Sequence, residues 1–486
     1  PLPQGEPVKK TFATSAIATI AAANLIFSAP FANAATTYTV DRAAESGGMY
    51  MTGGNVSEFD GKAIVKRRDE SFIYHLMATD RSTNTTVDLV SALLSDGRYF
   101  LSDNSVDTSV VYDGKFWDWV GDDLEGGYDL LYSDGTVAGT GVVEIDCEDP
   151  YMDSPIGVSD GIYFIATDSV TDNEELFFFD GSTVTDMNVT DGGSGSNPEG
   201  LREFQGKVSF VAVNQTDQNI KQYTAVAGVK TLVGEVAGMW SSDFELDGPD
   251  VNANHAYAFT YDYNTETSSL WWTDDVDAPY ELVTDEAGDS GAFFNGKYYF
   301  DGVFVSGSYT GLASAVGSVV NVDPDFIYPG SFYVLDDVMY FGAYDDTNET
   351  HWNLYVMGTD GVVHLVLQDW DSGTGAGVGD SFFFQHDGGV SDSELWVADA
   401  DGARLVSNIR EDGESDPSMF GVVGDEVCFG AFPPPVEVEA YDLYCVSGSA
   451  LADTGVDGGA IGAVGVVTLL VGGGLAVVRR RARITE

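Results

Sequence analysis

A strand motif that returns about every forty to fifty residues constrains this chain more than any other feature. Each copy is a turn pair followed by an alternating apolar strand. It reads Asp60-Gly61-Lys62-Ala63-Ile64-Val65, Asp113-Gly114-Lys115-Phe116-Trp117, Asp160-Gly161-Ile162-Tyr163-Phe164 and Gln205-Gly206-Lys207-Val208-Ser209-Phe210. A degenerate copy, Asn254-His255-Ala256-Tyr257-Ala258-Phe259, comes next. Then follow Asn295-Gly296-Lys297-Tyr298-Tyr299-Phe300, Asp336-Asp337-Val338-Met339-Tyr340-Phe341, Gly379-Asp380-Ser381-Phe382-Phe383-Phe384 and Gly424-Asp425-Glu426-Val427-Cys428-Phe429. With Val65, Trp117, Phe164, Phe210, Phe259, Phe300, Phe341, Phe384 and Phe429 as anchors, the spacings are 52, 47, 46, 49, 41, 41, 43 and 45. Asp-Gly and Asn-Gly pairs accept the positive φ of tight hairpin turns. A period in the forties with several short strands per unit is the pattern of β-propeller blades.

A second strand follows most anchors, as in Glu175-Leu176-Phe177-Phe178-Phe179 and Glu394-Leu395-Trp396-Val397. It runs into an Asp-Gly hairpin and a third strand. The sequence therefore predicts an all-β chain: a single closed propeller over residues 35–448, with seven to nine blades and eight favoured. Asp96-Gly97-Arg98-Tyr99-Phe100 is an extra strand motif that blurs the count in the first units. The final unit shows two clear strands, so Thr37-Tyr38-Thr39-Val40 is expected to supply its missing edge and close the ring. Aromatic runs such as 177–179 and 382–384 read as blade core. The stretch Tyr132-Ser133-Asp134-Gly135-Thr136-Val137-Ala138-Gly139-Thr140 resembles the ELWxxDGTxxGT propeller repeats of large bacterial extracellular proteins. That resemblance covers most of residues 60–448 but is specific in one unit.

The flanks carry a different message. Lys9-Lys10, the Ala-rich apolar run 11–30 and Ala32-Asn33-Ala34 have the order of an export signal, with cleavage expected after Ala34 and a mature chain from Ala35. Residues 1–34 are thus an upstream extension and signal peptide with an N-terminal signal helix. At the other end stand Leu451-Ala452-Asp453-Thr454-Gly455, an uncharged run over 458–478, and Arg479-Arg480-Arg481-Ala482-Arg483. That order resembles the cell-wall sorting signal of Gram-positive surface proteins. Ala452 stands where the common motif has Pro, an LAxTG variant found mainly among high-GC actinobacteria. The resemblance implies a sortase that cuts between Thr454 and Gly455 and joins Thr454 to peptidoglycan. Residues 449–457 are then the linker, 458–478 a transmembrane helix about 30 Å long, and 479–486 a basic cytoplasmic tail. The membrane is a partner through this segment alone, before sorting. A plain membrane anchor and a buried hairpin are the other readings of the same run.

The formal net charge of −57 repels nucleic acid and anionic lipid, which excludes both as partners. At 12% aromatic and 44% hydrophobic residues the chain is nevertheless built to bury a core. Scattered acids fit a solvated surface, adaptation to salt, or Ca²⁺ sites. The short candidates for Ca²⁺ are Asp399 with Asp401, and Asp274, Asp275 and Asp277. Both sets lack the full alternating Asp pattern with a closing Glu, and hairpin turns explain them equally well. Of three cysteines, Cys428 and Cys445 lie on successive strands and are expected to pair, leaving Cys147 over.

No catalytic constellation emerges. The five histidines are isolated in sequence, and no HExxH, nucleophile elbow, phosphate loop or sialidase-type Asp box is present. The leading expectation is a cell-surface binding or display protein whose ligand is a glycan or a protein. The alternatives are an extracellular polysaccharide-acting enzyme with a site in the propeller channel, and a structural wall coat. Converging Arg, His or carboxylates at the channel mouth separate the first two.

Overall fold

The computed structural model describes residues 36–450, apart from short loop segments such as 102–108, 149–154 and 434–439. The signal-cleavage residues Ala32, Ala34 and Ala35, the sorting motif Leu451, Ala452, Asp453, Thr454 and Gly455, the run 458–478, and Asp401 lie outside the described residues. No helix among the described residues is long and apolar enough to cross a membrane.

The turn pairs act as the sequence predicts. Asp60, Gly61, Asp113, Gly114, Asn295 and Gly296 all have positive φ, and each pair joins two antiparallel strands. Repeating that hairpin, and adding an outer strand through a second turn, produces eight sheets. One of them has seven strands and holds two blades, so the ring has nine. The strand Val319–Leu335 links those two: its first part is the outer strand of blade 6, and its last part is the inner strand of blade 7. In numbers, blades 1 to 8 occupy residues 50–88, 99–143, 147–186, 199–240, 244–287, 291–327, 330–367 and 375–407. Blade 9 is 418–450 completed by Thr36–Ala44, which pairs with Asp442–Ala450. The N-terminal strand thus closes the ring as expected. Eight blades is corrected to nine, one per anchor. The extra motif at 96–100 is not a tenth: Tyr99–Leu101 is the first half of blade 2's inner strand, Val110–Tyr112 the second.

Each blade is buried on both faces, which explains why its strands carry consecutive apolar residues and not a clean alternation. In blade 3, Ile162 and Phe164 pack with Trp117 and Trp119 of blade 2, while Tyr163 and Ile165 pack with Val208 and Phe210 of blade 4. Nine such apolar clusters occur among the described residues, one between every neighbouring pair of blades. Register corrects two anchors. Val65, Phe164, Phe210, Phe300, Phe341, Phe384 and Phe429 all face the preceding blade. Trp117 and Phe259 face the following one. Their structural equivalents are Asp118 and Ala258, one position away. Glycine is required where inner strands meet most closely. A Cβ on Gly421 of blade 9 would lie 1.7 Å from the Val56 carbonyl of blade 1, and beside it the Val56 N–H donates to the Met419 carbonyl at 3.1 Å. Cys428 and Cys445 oppose each other on neighbouring strands of blade 9 and are bonded, with 4.0 Å between their Cα atoms.

Candidate functional site

The repeat motif itself turns out to build the fold. In blades 2, 3, 7 and 8 the acid or amide that precedes the Leu of the second strand is buried and accepts hydrogen bonds from the segment leaving the blade. Asp129 takes Ile145 N–H at 2.9 Å, and Asn353 takes Asp369 N–H at 3.2 Å. Glu175 takes Val189 N–H at 3.1 Å and the Ser196 hydroxyl at 2.6 Å. Glu394 does the same with Ile409 N–H at 3.3 Å and the Ser415 hydroxyl at 2.6 Å. These bonds satisfy backbone donors that water cannot reach. Burial pushes the Glu175 carboxyl up, against the pull of Ser196 and Val189. The Asp of the hairpins is a turn former. Asp134 accepts from Thr136 N–H and its hydroxyl at 2.9 and 2.6 Å, and Asp180 holds Ser182 in the same way. These bonds, foremost those from the hydroxyls, hold both carboxyls below the usual range.

Three of the five Ca²⁺ candidates have protein partners. Asp277 is paired with Lys207 of the preceding blade at 2.5 and 2.7 Å, and Asp275 accepts from Asp277 N–H at 2.9 Å as a turn former. Asp399 is bound bidentately by Arg404 at 2.7 and 2.6 Å, which spends its charge. Glu426 lies beside Cys428 and Cys445, but those sulfurs are joined to each other and Glu426 is paired with Arg81. The histidines also have partners: His75 sits 2.8 Å from Asp88 and 3.6 Å from Asp69, His351 pairs with Asp369, and His386 packs edge-on against Trp396.

The inner strands carry charge unevenly. Ser57–Phe59, Val110–Tyr112, Ile156–Val158, Gly291–Phe294, Gly375–Val378 and Ser418–Val423 hold one charged residue, Glu58. Glu199–Phe204 of blade 4 and Phe244–Val251 of blade 5 hold Glu199, Arg202, Glu203, Glu245, Asp247 and Asp250, and Cys147–Glu148 adds Glu148 in blade 3. Arg202 donates to its neighbour's carbonyl, Leu201, at 2.7 Å.

Polar groups do converge between blades 7 and 8, on the face where the tight turns lie. A cavity of about 400 Å³ opens there. Tyr340, with 2% exposure, forms its floor with Val338, Val356 and Val366. The Tyr340 hydroxyl donates to the carbonyls of Asp380 and Ala398 at 3.1 and 3.2 Å. Asp360, His364 and Asp380 are exposed at the rim. Asp399 also lines the cavity and carries the Arg404 pair, with Arg404 lying 5.3 Å above the Tyr38 ring. The Tyr38 hydroxyl is 2.8 Å from both Ser381 Oγ and Asp399 Oδ2. Burial first, then Asp399, pushes that hydroxyl up to about 12, so it stays protonated at neutral pH. Tyr38 lies on the ring-closing strand, which ties the closure to this corner of the molecule. The sequence reading missed these residues, apart from Asp399. They come from four separate turns and strands that look like ordinary hairpins one at a time.

Fold and closure together define the class: a nine-bladed propeller sealed by its first strand. No protein-family model and no curated protein matches the chain. Solved structures that it is similar to include an oligogalacturonate lyase in complex with manganese (13% identity, TM-score 0.39, over 77% of this chain and 95% of that one). Another is a prolyl endopeptidase (12%, 0.39, over 80% and 56%). A third is the β-propeller domain of the trilobed protease from Pyrococcus furiosus, with an open velcro topology (12%, 0.35, over 61% and 95%). At these scores the likeness carries no argument about activity.

Proposed function

We propose that this chain is a cell-surface binding protein, displayed as a propeller and joined to peptidoglycan through residues 451–455. One observation supports the reading most. The ring-closing strand starts at Thr36 and the last strand ends at Ala450. The expected cuts fall after Ala34 and after Thr454. Processing at both ends therefore leaves the whole ring and almost nothing else. The net charge of −57 directs the partner away from nucleic acid and other polyanions.

The test is fractionation of cells that express the wild-type chain or Thr454→Ala. The wild type is expected in the detergent-resistant wall fraction, released by a muramidase. The variant is expected in the membrane fraction or the medium. A Thr454→Ala chain that stays covalently on the wall would refute attachment by a sortase.

A further inference from the structure

We infer that the cleft between blades 7 and 8 is a binding site for a small apolar ammonium ion. The depth of the cleft is apolar. Val338, Val356 and Val366 line it, and the Tyr340 hydroxyl is committed to two backbone carbonyls. A sugar ring seated there would leave hydroxyls unpaired against three valines, which costs more than it returns. The rim is the opposite. Asp360 and Asp380 are exposed carboxylates, His364 stands between the blades with them, and the third acid, Asp399, is neutralised by Arg404. The arrangement is an apolar floor under an anionic mouth. Its complement is a molecule with an apolar body and a cationic head. At about 400 Å³ the space lies near the small end of the range for ligand pockets, roughly 300–1,000 Å³, and suits a body of about one ring. The field of a chain at −57 further draws cations to the mouth and repels anions of the same shape.

This ligand class rests on the binding role proposed above and not on the mode of attachment, so wall fractionation and ligand binding fail independently. The experiment uses the purified full chain and three probes of one shape: 2-phenylethylammonium, 2-phenylethanol and 3-phenylpropionate. Affinity is measured by calorimetry or ligand-observed NMR. The ammonium is expected to bind at least about tenfold more tightly than the alcohol, and the carboxylate more weakly than either. In Asp360→Asn/Asp380→Asn the preference for ammonium over alcohol is expected to fall below about threefold while alcohol binding is unchanged. Both sites are on exposed turns, and Asn keeps the Asp360 acceptor for Val362 N–H at 3.0 Å. Val356→Trp, which fills the floor, is expected to abolish binding of all three. No ammonium binding, an equal affinity for the anion, a preference that survives the double Asn variant, or binding that survives Val356→Trp would each overturn the inference.

Discussion

The interface between blades 1 and 2 and that between blades 7 and 8 solve the same packing problem in opposite ways. At the fourth position after the turn pair, blade 8 has Phe384 and blade 2 has Asp118. Phe384 is enclosed by Tyr340, Leu354, Trp370, Phe382 and Ala398, with ring contacts to Trp370 at 6.2 Å and Phe382 at 5.4 Å. Asp118 instead faces Lys66 across the interface at 3.1 Å, both side chains wholly buried. The aromatic interface gains from buried apolar area, a non-directional term. The ion pair gains little net energy after desolvation, but it is intolerant of any other register. Blade 1 continues the theme: Arg67 is buried and donates to the Glu45 carbonyl at 2.7 Å, while Arg42 holds the buried Asp442 of blade 9. A ring assembled from near-identical units needs some joints that fit one neighbour only. The seam where first and last strands meet, and the joint beside it, hold the buried charges Lys66, Arg67, Asp118 and Asp442.

The sharpest way to break this contrast is to remove one partner on each side. Asp118→Ala strands a buried ammonium, and Phe384→Ala leaves a large cavity. Each is expected to cost about 3–5 kcal/mol, read from the denaturant midpoint. Replacing the pair with Lys66→Met and Asp118→Leu separates the two cases: stability should return to wild type or above. A double variant no better than Asp118→Ala alone would mean that the pair holds the joint together by energy, as the aromatics do.

A smaller effect tests the buried acids that bridge blade to loop. Glu394→Ala leaves Ile409 N–H and the Ser415 hydroxyl without their acceptor and should cost about 1–3 kcal/mol, with the same loss at Glu175. Glu175 also carries a pH signature. Glu175 ionises less readily in the folded chain than in the unfolded one, because it is buried. Its contribution is therefore fully present below the unfolded value of about 4.3, and declines as pH rises through the folded value. Glu175→Gln removes that titration, so the variant should gain on wild type between pH 4 and pH 7. A constant difference across that range, in paired urea melts, would remove burial as the cause. The smallest effect is expected at the rim. Asp277→Ala breaks an exposed pair with Lys207 and should cost about 1 kcal/mol or less, with a Ca²⁺ titration leaving the melting temperature of wild type and variant equally unmoved.

The repeat was readable because blade cores recur in sequence: nine anchors correspond to nine blades, and the strand at Tyr38 lies on the edge where a missing partner was needed. What blurred the count was Tyr99–Leu101, a half-strand whose pattern imitates a whole one. The register of blades 2 and 5 was legible only to within one residue. In blade 2 aromatics stand on both faces, Phe116 toward blade 1 and Trp117 toward blade 3, while in blade 5 Tyr257 and Phe259 share the face toward blade 6 and Ala256 and Ala258 take the other; period-two patterning loses its direction when both faces are buried. The buried charges were not legible at all. Asp118 and Lys66 are 52 residues apart, and a polar letter at a core position reads as a surface one until its partner is seen. The cleft escaped for the same reason. Asp360, Asp380 and Asp399 each read as turn acids, and two of them do shape turns, while their convergence is a property of neighbouring blades. Signals at residues 32–35 and 451–455 stand on sequence alone.

The seam has a mechanical consequence. A load applied from the C-terminal side enters the ring through the strand Asp442–Ala450. That strand is bonded along one edge to Thr36–Ala44 and along the other to Glu426–Ala431. Its midpoint is also fastened to the latter by the Cys428–Cys445 bridge. Peeling can therefore proceed from Ala450 only as far as Cys445 before it meets a covalent stop, and the strand beyond that point cannot be drawn out. A tug of this kind would shed the ring-closing strand's outer grip while leaving the other eight blades in place.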